Sequence, residues 1–98
     1  MRAGGSIFLQ KCASCHGAEG EGRYDSGVYY RPAVVGPDSY NAAAGMGQVP
    51  KLAAFLHANM PYGYGGSLTV EEAYDLACWV DAQPRPGNEG GKTPEGCR

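Results

Sequence analysis

The 98-residue chain lacks the features that mark several common functional classes. No apolar run approaches the ~20 residues of a membrane-spanning helix, so the sequence predicts no membrane span. Lysine and arginine number only 8 and form no cluster, and the formal net charge is −2. Because nucleic-acid binding needs a basic surface, nucleic acid is not an expected partner. No general base, nucleophile or phosphate-binding loop is apparent, and the acidic residues near the C-terminus are expected to form one solvated helix face: Glu71, Glu72, Asp75 and Asp81.

The small size limits the core that the chain can build by itself. Its length suggests one domain over residues 1–98, and a hydrophobic content of 43% is enough for a globular fold. Sixteen glycines and seven prolines fall mostly between the candidate helices. This distribution predicts long, ordered loops wrapped around something, which a buried cofactor would explain.

The strongest chemical signal is the stretch 12–16, which reads CASCH. The C-x-x-C-H pattern is typical of covalent c-type haem attachment. The thiols of Cys12 and Cys15 are spaced to form thioethers with the two vinyl groups of one porphyrin. His16 then lies under the ring and can give an imidazole nitrogen to the iron. The sequence therefore predicts one covalent haem c, with His16 as a metal ligand.

The other two cysteines, Cys78 and Cys97, help to decide between haem attachment and a redox or zinc-binding role for the C-x-x-C pair. A redox or zinc-binding pair would also contain C-x-x-C, but a zinc site needs further ligands, and these two lack the close spacing to supply them. They are expected to form a disulfide that ties the tail, residues 86–98, back onto the last helix; the alternative is one buried and one free thiol. A disulfide indicates an oxidising compartment.

Haem attachment also predicts the compartment, because c-type haem is normally attached outside the bacterial cytoplasm. The first residues lead directly into a helical pattern and do not resemble a signal peptide. We therefore expect a periplasmic protein whose signal was removed. The alternative is a domain excised from a larger protein, with Met1 added.

Two glycine- and proline-rich stretches, 17–27 and 29–40, are predicted to be loops around the porphyrin. A haem-ligating histidine usually donates its second ring N–H to a carbonyl, and the carbonyl of Pro32 is the candidate here. Val34 and its neighbour Val35 are placed to pack on the ring. Candidate hydrogen-bond donors to the haem propionates follow: Arg31, Tyr40 and Asn41. For each of these, simple packing or solvation is the alternative.

Met60 is the candidate for the second iron ligand. A helix is predicted over 50–58, with Pro50 in its first turn and an apolar stripe at helical spacing. Because proline disfavours the helical conformation in the residue before it, Pro61 places Met60 on a stiff extended segment just after that helix. Met46, flanked by glycines, and His57, within the helical pattern, are the competing ligands, and an open sixth position is the remaining alternative.

Two further helices are predicted at the ends of the chain. Ser6 to Lys11 forms the first. Gly4, just before this helix, would allow another helix to approach closely. Tyr74 of the last helix is a candidate for contact with the first helix near Gly4. The last helix begins at Thr69, which forms a capping box with Glu72.

Taken in order, these features resemble the class I cytochrome c family over nearly the whole chain. The residues that carry the resemblance are Gly4, Ile7 and Phe8, then the C-x-x-C-H motif, Pro32, Gly36, Met60-Pro61, and the capped last helix with Tyr74. The resemblance implies an all-α, small cytochrome c fold of three to five helices with long loops around one covalent haem. It also implies that the first and last helices cross, that the Pro32 carbonyl holds His16, and that Met60 is the distal ligand.

Three further stretches narrow the resemblance: Val35-Gly36-Pro37-Asp38-Ser39-Tyr40-Asn41, Ala58-Asn59-Met60-Pro61-Tyr62-Gly63 and Gln83-Pro84-Arg85-Pro86. Over about residues 35–86 the chain resembles bacterial cytochromes of sulfur-compound oxidation, such as the haem domains of thiosulfate dehydrogenases. Those enzymes commonly have two haem motifs and a catalytic haem with an unusual distal ligand such as cysteine. This chain has one motif and a methionine at position 60. The departure favours an electron carrier over a catalytic haem.

The expected function is periplasmic electron transfer by a His/Met-ligated haem c, without catalysis. Redox proteins would act as donor and acceptor and dock at the exposed haem edge, with the chain a monomer or part of a larger complex. The alternative is a haem domain of a larger oxidoreductase that acts directly on a small sulfur compound.

Overall fold

A computed structural model describes residues 2–12, 16, 20–25, 28–31, 33–37, 39–60, 65–94 and 96–97. In chain order, its elements are α1 (Arg2–Lys11), β1 (Arg23–Asp25), β2 (Val28–Arg31), a 3₁₀ helix (Gly45–Gly47), α2 (Val49–Asn59) and α3 (Val70–Asp81). Three α-helices dominate this arrangement, so the predicted all-α class is confirmed. Within the described ranges, no helix combines the length and the apolar character that crossing a bilayer requires.

The first and last helices pack together through a glycine. A Cβ atom on Gly4 would overlap the backbone carbonyl oxygen of Asp75 and would lie 2.6 Å from the Cβ of Trp79. One turn further along α1, the ring of Phe8 lies 4.9 Å from that of Trp79, centre to centre. The predicted close approach at Gly4 is confirmed, but its nearest neighbours are Asp75 and Trp79, and Tyr74 is exposed.

The hydrophobic core lies where α2 and α1 meet α3. Its buried members are Phe8, Val49, Leu52, Ala53, Leu68, Ala73, Leu76, Ala77 and Val80. A second layer of partly buried apolar side chains packs against it and includes Cys12, Val34, Met46 and Leu56. The core therefore has a half-covered apolar margin, and two of its members, Cys12 and Val34, are residues that the sequence analysis assigned to haem contact.

Helix α3 begins with the predicted capping box and ends on a buried acid. Thr69 Oγ1 accepts a hydrogen bond from the Glu72 amide at 3.0 Å, and the Glu72 carboxylate accepts one from the Thr69 amide at 2.9 Å. These bonds satisfy amides that have no partner within the helix. At the other end, Asp81 is only 4% exposed. The expectation that Asp81 belongs to a solvated acidic face is therefore wrong.

A short antiparallel hairpin occupies part of the region predicted to be loop. Its strands β1 and β2 pair with an irregularity between Arg23 and Tyr24. The prediction missed it because each strand has only three or four residues, and glycines surround them. A two-stranded ribbon of this length depends on tertiary contacts and does not alter the fold class.

The C-terminal tail folds back onto α3. Cys78 and Cys97 form the predicted disulfide, with their Cα atoms 5.7 Å apart. The Asn88 side chain accepts a hydrogen bond from the Lys92 amide and donates one to the Lys92 carbonyl, each at 3.0 Å. The disulfide and this turn together account for order in a polar, glycine-rich segment that could not hold one conformation alone.

Candidate haem-binding site

Cys12 lies at the end of α1, where its amide donates to the Phe8 carbonyl at 2.9 Å. The side chain is half-buried and packs against the hydrophobic core. His16 is also half-buried, and its amide donates to the Cys12 carbonyl at 2.9 Å. This hydrogen bond sets the backbone of His16 relative to Cys12. Cys15 lies outside the described residues.

Hydrogen bonds connect the backbone of residues 20–22 to His16 on one side and to the segment that contains Val34 on the other. The Gly22 amide donates to the His16 carbonyl at 2.6 Å, and the amides of Val34 and Val35 both donate to the Gly20 carbonyl, at 2.8 and 3.0 Å. Gly20 has a φ of +75°, and a Cβ there would lie 2.7 Å from a Val35 methyl carbon. Only glycine fits this turn without strain. Pro32, the candidate carbonyl for His16, lies outside the described residues.

Met60 follows α2 on a segment whose two ends are fixed. Its backbone is extended, with φ −117° and ψ 148°, as the Met-Pro pair predicts. The Met60 amide donates to the Leu56 carbonyl at 3.1 Å, and on the far side of the loop the Gly66 amide donates to the His57 carbonyl at 2.9 Å. The Met60 side chain is half-buried. A half-buried thioether on a restrained segment is what a soft metal ligand requires.

The two competing ligands have other contacts. His57 Nδ1 donates to the Leu68 carbonyl oxygen at 2.8 Å. This hydrogen bond connects Leu68, which follows the Met60 loop in sequence, to helix α2. Met46 lies in the 3₁₀ helix and packs against the core. Its glycine-flanked backbone is therefore better held than the sequence suggested.

The candidate propionate residues Tyr40 and Asn41 lie beside the C-terminal end of α3. Tyr40 donates its phenolic hydrogen to Asp81 Oδ1 at 2.6 Å, and burial together with this bond raises the pKa of Tyr40. Asn41 is exposed, and its side-chain oxygen accepts from the Ala43 amide at 2.8 Å. The Asn41 side chain keeps its amide hydrogens for another acceptor.

Arg85 is the most deeply buried charged side chain among the described residues, at 2% exposure. Its Nη1 donates to the Val34 carbonyl at 2.9 Å and to Ser39 Oγ at 3.0 Å, while Nη2 donates to the Val80 carbonyl. The guanidinium carbon lies 4.3 Å from the centre of the Tyr40 ring. Arg85 therefore joins the end of α3 to the loop 33–40.

The neighbouring acid, Asp81, completes this buried polar cluster. Its Oδ2 and the Nε of Arg85 are buried without a hydrogen-bond partner. Burial raises the pKa of Asp81, while the Tyr40 hydrogen bond and the Arg85 charge oppose that rise. The cluster is thus charged, enclosed and adjacent to a segment expected to contact haem.

The cytochrome c family model matches residues 1–83. The chain belongs to the cytochrome c family. Membership implies a covalently bound haem c, redox partners and a role in electron transport.

Individual relatives share a narrower similarity with this cytochrome c chain. It is 46% identical over 84 residues to a thiosulfate dehydrogenase of Psychrobacter arcticus, and 47% identical over 83 residues to one of Thiomonas intermedia. Each alignment covers 85% of this chain and 26% of the relative. The chain therefore spans about a quarter of the length of these relatives.

Solved structures support the fold. A thiosulfate dehydrogenase structure from Marichromatium purpuratum superposes with a TM-score of 0.83 at 45% identity, over 87% of this chain and 18% of that one. Cytochrome c6 of the diatom Phaeodactylum tricornutum gives 0.57 at 26% identity, over 92% of this chain and 95% of that one. The second match extends over nearly the whole of that cytochrome chain.

The described residues fit a haem c in their chemistry. Cys12 is not one of the two disulfide cysteines, His16 supplies an imidazole, and Met60 supplies a thioether on a restrained segment. The half-covered apolar margin of the core, which includes Val34 and Leu56, provides side chains that a porphyrin face would cover. The candidate haem-binding residues and the apolar side chains around them therefore agree with the assignment to the cytochrome c family.

Sequence reasoning missed Arg85 and Asp81. Arg85 belongs to the stretch Gln83-Pro84-Arg85-Pro86, which predicted the end of the last helix and contributed to the narrower resemblance but gave Arg85 itself no role. Helical spacing contained a signal for Asp81, because it lies four and eight residues after the buried Ala77 and Ala73. That spacing places Asp81 on the apolar face of α3.

Proposed function

We propose that this chain is an electron-transfer domain or carrier in which one haem c is attached through Cys12 and Cys15 and ligated by His16 and Met60. When bound, a haem c supplies a one-electron iron couple, and His/Met ligation raises its reduction potential. The protein's own task is to attach the ring, hold both ligands and exclude water from all but one edge. A single domain over residues 1–98 meets these needs.

The restraint on Met60 is the observation that carries this proposal. The hydrogen bonds of Met60 to Leu56 and of Gly66 to His57 fix both ends of its loop. The His57 ring adds a third restraint through Leu68. A restrained backbone at Met60 suits a permanent sixth ligand, and a permanent ligand favours electron transfer over the binding of an external substrate.

Similarity to thiosulfate dehydrogenases supports a place in sulfur-compound oxidation. We propose that the electrons come from oxidation of a compound such as thiosulfate at a different site, and that this domain passes them to a redox protein. Docking would be transient and would use a small surface at the exposed haem edge. The family and the disulfide both support a periplasmic location.

Ligand variants test the proposed coordination. Met60→Ala should keep the covalent haem, because thioether attachment does not depend on residue 60, but should lose the low-spin His/Met spectrum. Met46→Leu is the matched control for a competing thioether ligand and should keep that spectrum. An unchanged spectrum in Met60→Ala, or its loss in Met46→Leu, would overturn the assignment of Met60.

A second experiment separates electron transfer from direct catalysis. The oxidised protein is mixed with thiosulfate alone, and then with thiosulfate plus a catalytic amount of a thiosulfate dehydrogenase. Reduction only in the second mixture is the expected result. Rapid reduction by thiosulfate alone would favour the alternative, in which this haem acts directly on a small sulfur compound.

A further inference from the structure

The buried guanidinium of Arg85 connects two parts of the molecule that are distant in sequence. One of its nitrogens donates to the Val80 carbonyl near the end of α3, and the other donates to Val34 and Ser39. Backbone bonds reinforce the same junction, since the Gly36 amide donates to the Pro84 carbonyl at 2.6 Å. Residues 84–85 therefore connect Val34, Gly36 and Ser39 to the end of α3.

That segment is in turn the support of the chain after His16. The amides of Val34 and Val35 both donate to the Gly20 carbonyl. Two residues later, the Gly22 amide donates to the His16 carbonyl. A continuous path of hydrogen bonds and short backbone links thus joins Arg85 to the backbone of the candidate proximal ligand.

The chemistry of arginine suits this junction in a way that lysine does not. Three acceptors from separate chain positions are satisfied by the planar fork of one guanidinium. A lysine ammonium carries the same charge on a single nitrogen, so it cannot reproduce the two separate directions of Nη1 and Nη2. All three acceptors are uncharged, so the bonds fix positions and do not form an ion pair.

We infer that Arg85 is a positioning residue for the His16 side of the haem site. The inference rests on the proposed function, because it takes His16 as an iron ligand. By holding Val34 and Val35 against the Gly20–Gly22 turn, Arg85 keeps the backbone behind His16 closed to water. Loosening this segment should lower the reduction potential, because water stabilises the more highly charged oxidised site.

Two substitutions in the holoprotein separate positioning from charge. Arg85→Met removes both the fork and the charge, whereas Arg85→Lys removes the fork and keeps the charge. Both should accelerate amide hydrogen exchange at Gly22, Val34 and Val35 more than in helix α2, and both should lower the midpoint potential. Ser39→Ala, which removes one acceptor, should act in the same direction with a smaller shift if the Arg85 variants fold poorly.

Matched controls show whether the effects are local. The disulfide-free variant Cys78→Ala/Cys97→Ala should lower stability without removing an Arg85 hydrogen bond, and Ser6→Ala makes the same chemical change as Ser39→Ala at an exposed position of α1. Neither should change the potential or the exchange at Val34 relative to α2.

Two results would overturn the inference. A potential in Arg85→Lys equal to that of the unaltered protein would assign the effect to charge, and a potential unchanged in Arg85→Met and Ser39→Ala would leave Arg85 only a role in stability. The ligand set is read separately from the spectrum of the unaltered protein, so loss of the proposed His/Met coordination would be recognised as a different failure.

Discussion

Gly4 lies directly against the backbone of Asp75, so that at this point α1 approaches the backbone of α3 without a side chain of its own in between. A Cβ at position 4 would overlap the Asp75 carbonyl oxygen, which belongs to helix backbone and cannot move aside as a flexible side chain can. This contact brings Phe8 onto Trp79 and sets the direction in which α1 delivers Cys12. The attachment motif is therefore positioned by the crossing of the first and last helices.

Gly4→Ala should destabilise the holoprotein, although alanine is the better helix former by about 1 kcal/mol. The clash with Asp75 should outweigh that preference and cost about 1–3 kcal/mol. Denaturant unfolding measures the difference. Gly90→Ala is the control, because a Cβ at position 90 meets nothing within 4 Å. A Gly4→Ala protein as stable as the control would show that the helices are free to separate.

Removal of the disulfide should loosen the tail without loss of haem. Cys78 and Cys97 are 19 residues apart, and closing a loop of about this length contributes roughly 3 kcal/mol. The double variant Cys78→Ala/Cys97→Ala should therefore unfold at lower denaturant concentration, with its visible spectrum unchanged. Limited proteolysis should cut it after residue 86. Equal stability and equal protease resistance would mean that the Asn88 turn alone holds the tail.

Thr69→Ala should destabilise α3 by about 1 kcal/mol, because the Glu72 amide loses its acceptor. Thr69→Ser keeps a hydroxyl at the same position and should remain close to the unaltered protein. Denaturant unfolding of both variants gives the comparison. Equal losses in the two would assign the effect to the threonine methyl group and not to the cap.

Asp81 should make stability depend on pH with a defined sign. Burial raises the pKa of this carboxyl above its ordinary value of 3.8, so the folded protein binds the proton more tightly than the unfolded chain. Its contribution is therefore most favourable below pH 3.8 and is lost as the pH rises through the higher folded-state pKa. Asp81→Asn, which cannot ionise, should lack this component.

The measurement is the difference in unfolding free energy between the unaltered protein and Asp81→Asn, followed upward from acid pH. This difference removes the contribution of Glu72, whose pKa is lowered by its bond to the Thr69 amide and which acts in the opposite direction. The unaltered protein should lose stability relative to the variant as the pH rises. The opposite slope would show that the Arg85 charge outweighs burial at Asp81.

Local sequence signals predicted the helices because each signal acts within one turn. The structure confirms the Thr69-Glu72 cap and the proline in the first turn of α2, and Met60 has the extended backbone that a following proline predicts. Helix α1 begins earlier than expected, at Arg2, because Gly4 and Gly5 are stabilised by packing on α3 and not by intrinsic helix preference.

The polar cluster could not be predicted in the same way. Arg85 acquires its role from Val34 and Ser39, which lie about 50 residues earlier, at separations of 51 and 46. Nothing in a Pro-Arg-Pro stretch specifies such partners, since they meet only after the helices have packed. The hairpin β1–β2 was missed for a related reason, because strands of three and four residues form only when the surrounding structure brings them together.

The absorption spectrum of the oxidised holoprotein, extended to long wavelength, tests the central claim most directly. Ligation by His16 and Met60 predicts a low-spin ferric spectrum with the weak methionine-to-iron charge-transfer band, and Met60→Ala should lose that band while Met46→Leu keeps it. A high-spin ferric spectrum in the unaltered protein, or a low-spin one without the band, would contradict a closed His/Met electron-transfer site.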